Sequence, residues 1–88
     1  MGKQLTPHQQ EIMAEIAKKE NVKVGDVFHI SRRAYPKYKK ERDYEWEYTE
    51  PIWVYAYGAT ANALLRKGLF DRDWRDCYVL TEEGYAYL

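Results

Sequence analysis

Apolar side chains return every third or fourth residue near the start of the chain. Ile12, Met13, Ile16 and Ala17 form one stripe, with Glu11, Glu15, Lys18 and Lys19 opposite it. That period of 3.6 predicts an amphipathic helix over residues 7–20 whose stripe faces a core. Thr6, Pro7 and Gln9 supply its start: a capping threonine, a proline whose missing N–H costs nothing in the first turn, and a glutamine three after the threonine.

The next segment fits two templates. Val24, Val27, Phe28, Ser31 and Tyr35 follow helical spacing, which predicts a second helix over 24–35 closed by Pro36. The competing expectation is a short strand through Val22 to Ile30, because Val22 and Val24 alternate with charged residues before Gly25-Asp26, a turn pair. Farther on, Tyr44, Trp46 and Tyr48 alternate with Glu45 and Glu47, the period of a half-buried strand with the glutamates facing solvent. Pro51 suits a helix start and predicts a third helix over 52–67, ended by Gly68 with Arg66 and Lys67 near its negative pole. Its core side would hold Trp53, Val54, Tyr57, Ala61, Leu64 and Leu65, with Gly58 weakening its middle by about 1 kcal/mol relative to Ala. Residues 69–71 and 77–80 read as strands of a β-hairpin around a hydrophilic tip. Thr81, Glu82 and Glu83 then open a last helical turn that closes on Tyr85 and Leu88.

Within this order one stretch is more specific: Leu64-Leu65-Arg66-Lys67-Gly68-Leu69-Phe70, answered by Tyr78-Val79-Leu80-Thr81-Glu82-Glu83-Gly84. Leu64 and Leu69 are suited to burial behind the helix, Gly68 to a positive φ that turns the chain, and Thr81 to a cap. The stretch resembles bacterial, archaeal and phage winged-helix regulators of the MarR and PadR kind, in which a recognition helix ends in Leu-x-x-Lys-Gly-Leu and the wing returns in Leu-Thr-x-x-Gly. The resemblance covers residues 59–88 well and 5–19 loosely. It implies an α+β winged helix-turn-helix with three helices, a C-terminal hairpin wing and a short final helix. The departure lies at 31–50, where an extended basic and aromatic insertion separates helices 2 and 3 in place of a turn of three or four residues.

Composition narrows the function classes. With 88 residues, 45% of them hydrophobic and 16% aromatic, the chain has the size of a single domain, 1–88, and too many core formers for disorder. A lone cysteine, Cys77, makes no internal disulfide, and no apolar run reaches the length of a membrane span; both features, with the lack of a leader pattern, predict a cytoplasmic protein. His8, His29 and Cys77 lack zinc-site spacing, so no metal is expected. No phosphate loop, nucleophile elbow or paired catalytic carboxylates occur, so the expectation is a non-enzyme without a cofactor.

Net charge is zero, 14 cations against 14 anions, which argues against a strong nonspecific nucleic-acid binder. The distribution is less even: Arg32, Arg33, Lys37, Lys39, Lys40 and Arg42 cluster with only Glu41 among them, before Asp43, Glu45, Glu47 and Glu50. Such a run is ordinarily a solvated face, but six cations so close together repel one another and gain from an anion, which favours phosphate neutralisation, with tyrosines interleaved for stacking. On the third helix the outer stripe would be Tyr55, Ala59, Asn62 and Arg66. There Asn62 suits a bidentate pair with adenine, Arg66 suits guanine or phosphate, and the small Gly58 and Ala59 allow close approach. Arg72, Trp74 and Arg75 on the wing suit backbone contacts, opposed by Asp71, Asp73 and Asp76; a solvated hairpin with Trp74 folded back is the plainer alternative. The expected function is a small viral or prokaryotic transcription regulator that binds double-stranded DNA. The alternative is a protein-interaction module, with another protein or a second copy as partner, for which exposed tyrosines and tryptophans are typical anchors.

Overall fold

In the computed structural model, which describes residues 4–33, 51–74 and 76–88, the chain opens with helix α1 (Pro7–Ala17). The capping box forms as the sequence predicts. The Gln9 N–H donates to the Thr6 hydroxyl at 3.2 Å, and the Thr6 N–H donates to the Gln9 amide oxygen at 3.1 Å. Ile12, Met13 and Ile16 are buried on the inner face. The helix ends three residues short of the expected boundary at 20, and Asn21, at φ 61°, turns the chain away.

Two expected helices are corrected. The described part of the helix expected over 24–35, residues 24–33, is not helical: Gly25, at φ 94°, sits in a turn closed by the Asp26 N–H donating to the Lys23 carbonyl and by the Asp26 carboxylate accepting from the Lys23 N–H. A positive φ at that point stops a right-handed helix. Strand β1 (Val27–Ser31) follows, with Phe28 and Ile30 buried and their neighbours only partly so, the period of two that a sheet imposes. The alternative strand over 22–30 is matched only in its second half, since Val22 and Val24, whose alternation suggested it, lie outside β1 and ahead of the Gly25 turn.

The helix expected over 52–67 is two elements. Its first part is strand β2 (Ile52–Tyr55), a run of β-branched and aromatic residues that suits a pleated surface better than a helix. Helix α2 (Gly58–Arg66) follows, so Gly58 stands in the first turn rather than in a helix middle. Of the expected core side, Val54, Ala61 and Leu64 are buried. Trp53 and Tyr57 are instead 47% and 60% exposed, because Trp53 alternates with Val54 on a strand and Tyr57 is the residue before the helix.

Strands β3 (Phe70–Arg72) and β4 (Tyr78–Leu80) form the expected hairpin, and helix α3 (Glu82–Ala86) closes the chain. The described residues thus give an α+β structure with three helices and a four-stranded mixed sheet in the order β2-β1-β4-β3. β1 runs parallel to β2, with Phe28 opposite Ile52 and Ile30 opposite Val54, and antiparallel to β4, with Phe28 opposite Tyr78. A parallel neighbour requires a long crossover, and residues 32–51 supply the chain for it. The expected ribbon at Tyr44, Trp46 and Tyr48, like most of the proposed insertion, lies outside the described residues.

Phe28, Phe70, Leu64, Leu69, Leu80 and Ile16 form the centre of one core between the sheet and helices α1 and α2. Phe70 meets Phe28 and Tyr78 edge to face, with centroids 6.3 and 5.9 Å away, each such pair adding about 0.5–1.5 kcal/mol beyond burial. The joint after α2 is tight. Gly68 has φ 86°, and the Thr81 hydroxyl donates to its carbonyl at 2.7 Å while accepting from the Gly84 N–H at 3.0 Å. The Thr81 N–H donates to the Leu69 carbonyl at 3.2 Å. One threonine therefore ties the end of α2, the hairpin and the start of α3 together.

Candidate nucleic-acid interface

Helix α2 has no side-chain cap at Tyr57, and its first helical bond runs from the Ala61 N–H to the Tyr57 carbonyl at 3.2 Å. The outward face of the helix carries exposed Ala59, partly buried Asn62 and exposed Arg66, spaced i, i+3 and i+7. A Cβ built at Gly58 would meet nothing within 4 Å, so backbone approach is open there.

Tyr55 is absent from this stripe, contrary to expectation, because it ends β2 and does not lie on the helix. It belongs to a separate cluster. The Arg32 guanidinium donates to the Tyr55 hydroxyl at 3.0 Å and lies 4.8 Å from the Tyr55 ring centroid and 4.5 Å from that of Tyr57. The hydroxyl bond, with the facing rings, holds the Arg32 pKa above its ordinary value, so the group is a permanent cation. Arg33 beside it is exposed, its N–H donating to the Ser31 hydroxyl. This cluster forms one wall of a groove of about 510 Å³, whose other wall is α1. There Glu15 pairs with Lys18 at 3.4 Å and Glu11 with His8 at 3.9 Å, so the groove is mixed in sign.

The second cluster joins helix to hairpin. The Asn62 amide oxygen accepts from Arg72 Nη2 at 2.8 Å and from the Tyr78 hydroxyl at 2.8 Å. Arg72 also bonds Asp76 at 3.3 Å and lies 5.6 Å from the Tyr78 ring centroid. Burial pushes the Tyr78 phenol up from its ordinary value, more than the Arg72 charge lowers it, so it stays protonated and donates. The acidic residues at the hairpin tip have local work. Asp76 holds φ 64°, which aspartate tolerates, and the Asp73 carboxylate accepts from the Cys77 N–H at 2.9 Å.

Of the sequence-predicted residues, Asn62, Arg66 and Arg72 share the face of α2 and the hairpin, while Arg32, Arg33 and Tyr55 gather at the ends of β1 and β2. Gly58 and Ala59 lie at the start of α2, and Trp74 is 60% exposed at the hairpin tip. Lys37, Lys39, Lys40 and Arg75 lie outside the described residues. Sequence reasoning missed Tyr57 and Tyr78. Each signal lies at long range, one in the placement of Arg32 and the other in a partner sixteen residues back in the chain. Lys67, which looked like a helix-end charge, instead donates to the Gln4 carbonyl at 2.6 Å and the Gln9 amide oxygen at 2.8 Å, fastening α2 to α1.

No group of metal-ligating side chains occurs among the described residues, and no helix among them is long and apolar enough to cross a membrane. Comparison with protein-family models, with curated proteins and with solved structures yields no match.

Proposed function

We propose that this chain is a small DNA-binding protein of the winged-helix kind, a transcription regulator in which the outer face of α2 enters the major groove. The β3–β4 hairpin acts as the wing, and Arg32 and Arg33 bind backbone phosphates. The observation that carries the reading is the hydrogen bond from Arg72 to Asn62, which makes a helix side chain and a hairpin cation parts of one surface, with Arg66 a further cation on the helix. Small residues at the start of α2 support it by admitting close approach.

The test is titration of a mixed-sequence duplex at several salt concentrations, with the wild type and with alanine at Arg32, Arg33 or Arg66. Each side chain that neutralises a phosphate should, once removed, reduce the slope of log affinity against log salt by about 1. Undetectable affinity at low salt, or slopes unchanged in every variant, refutes the reading. The exposed aromatics Trp53, Tyr55, Tyr57 and Trp74 favour the second reading, a protein-interaction module. For that module, removing tyrosine or tryptophan side chains would abolish partner binding and the salt slope would be shallow.

A further inference from the structure

The bidentate pairing expected between Asn62 and adenine needs the amide in both its capacities: oxygen to accept from adenine N6, nitrogen to donate to N7. Here the oxygen is spoken for. Its two lone pairs receive Arg72 Nη2 and the Tyr78 hydroxyl, each at 2.8 Å. A guanidinium has no acceptor atom, so the chemistry of Arg72 fixes which end of the amide faces it. Both donors have further contacts: Arg72 pairs through its other terminal nitrogen, Nη1, with the Asp76 carboxylate at 3.3 Å, and Tyr78 is buried in the core with its ring against Phe70. What remains of Asn62 is its NH₂ group, which has no partner among the described residues.

Resting on the DNA-binding reading above, we propose that Asn62 is a specificity-determining residue that acts as a hydrogen-bond donor alone. It selects guanine, which presents two acceptors and no donor on its major-groove edge, and disfavours adenine. The N6 amino group of adenine would face a filled oxygen and be left buried without an acceptor, which costs more than a missed bond. Arg72 and Tyr78 are positioning residues that set this polarity without touching the base.

The experiment is selection of binding sites from random duplexes with three proteins: wild type, Asn62→Asp, and the double variant Arg72→Ala with Tyr78→Phe. Asp is close in shape to Asn and still accepts from Arg72 and Tyr78, but has lost both N–H groups. Its negative charge weakens binding at every sequence, so the readout is the ratio between sites. The wild type should prefer guanine at one position, on the order of tenfold over adenine. Asn62→Asp should erase that preference at that position alone, and the double variant, with the amide oxygen released, should admit adenine there. Wild-type selection of adenine at that position, or an Asn62→Asp variant with the guanine preference intact, overturns the assignment. Should the double variant fail to fold by thermal denaturation, the Asn62→Asp comparison decides alone. Failure of the wild type to bind any duplex overturns the DNA-binding reading and this assignment with it. Duplex binding without the guanine preference overturns only the assignment.

Discussion

Replacing Gly84 with alanine should destabilise the protein even though the position is helical. In an unobstructed helix that substitution is worth up to about 1 kcal/mol in favour of alanine. At Gly84 the added Cβ would collide with the Leu69 carbonyl oxygen and lie 2.8 Å from Leu80 Cδ1. The leucine end can adjust, but the carbonyl cannot, since it accepts from the Thr81 N–H at 3.2 Å and Leu69 is fully buried. Relief requires α3 to lift off the hairpin. Overpacking of this kind costs about 1–3 kcal/mol, and a backbone bond broken with its acceptor left buried costs about 1–3 kcal/mol more. After the propensity gain is subtracted, a net loss of about 1–5 kcal/mol is expected, against a total of roughly 4–13 kcal/mol for a domain of this size. Urea unfolding followed by tryptophan fluorescence and circular dichroism measures it, and in a thermal scan the Tm should fall by about 4–8 °C for each kcal/mol lost. Gly58→Ala is the control, because a Cβ there meets nothing within 4 Å; it should leave stability unchanged or raise it slightly. Equal or greater stability of Gly84→Ala refutes the reasoning.

Two further outcomes follow from local geometry. Thr6→Ala removes the hydroxyl of the capping box and should cost about 1 kcal/mol in the same unfolding assay, with Thr6→Ser recovering most of it; a neutral alanine would mean the cap contributes nothing. Tyr78 has a folded-state pKa raised above its ordinary value of 10.0, chiefly by burial, so its contribution is complete below about pH 10. That contribution is lost as pH rises through the folded value, because the unfolded phenol ionises first. Stability measured from pH 9 upward should decline in the wild type and decline less in Tyr78→Phe, which also loses the bond to Asn62; parallel curves for the two proteins would count against the burial argument.

Signals that act within a few residues were legible in the sequence. Thr6 with Gln9, Gly68 with its positive φ, the hairpin around Asp73 and Asp76, and the Thr81 cap all appear where spacing and residue type predict them. What escaped was decided at long range. Val24, Val27 and Phe28 satisfy a helical template, yet Phe28 sits between Ile52 on one side and Tyr78 on the other, and those pairings make the segment a strand. Ile52 to Tyr55 follow for the same reason, which removed Tyr55 from the expected helix stripe. The partners of the Asn62 oxygen lie 10 and 16 residues away, so nothing near Asn62 could reveal that half of its hydrogen-bonding capacity was already used.

The stretch that carried the family resemblance has a structural explanation of its own. Gly68, Leu69, Thr81 and Gly84 touch one another: Thr81 bonds the Gly68 and Leu69 carbonyls and the Gly84 N–H, and Gly84 leaves room only for the Leu69 backbone. The Lys-Gly-Leu and Leu-Thr-x-x-Gly halves are thus two sides of one joint between α2, the hairpin and α3, and their spacing is set by the hairpin that separates them. None of the joint's residues lies on the outer face of α2. A sequence can therefore keep the motif for its packing while Ala59, Asn62, Arg66 and Arg72, which take no part in the joint, change independently of it. It follows that the function of α2 and the hairpin must be tested at those four residues and the joint through stability, and that a variant of the joint which weakens DNA binding should do so in proportion to its loss of folded protein.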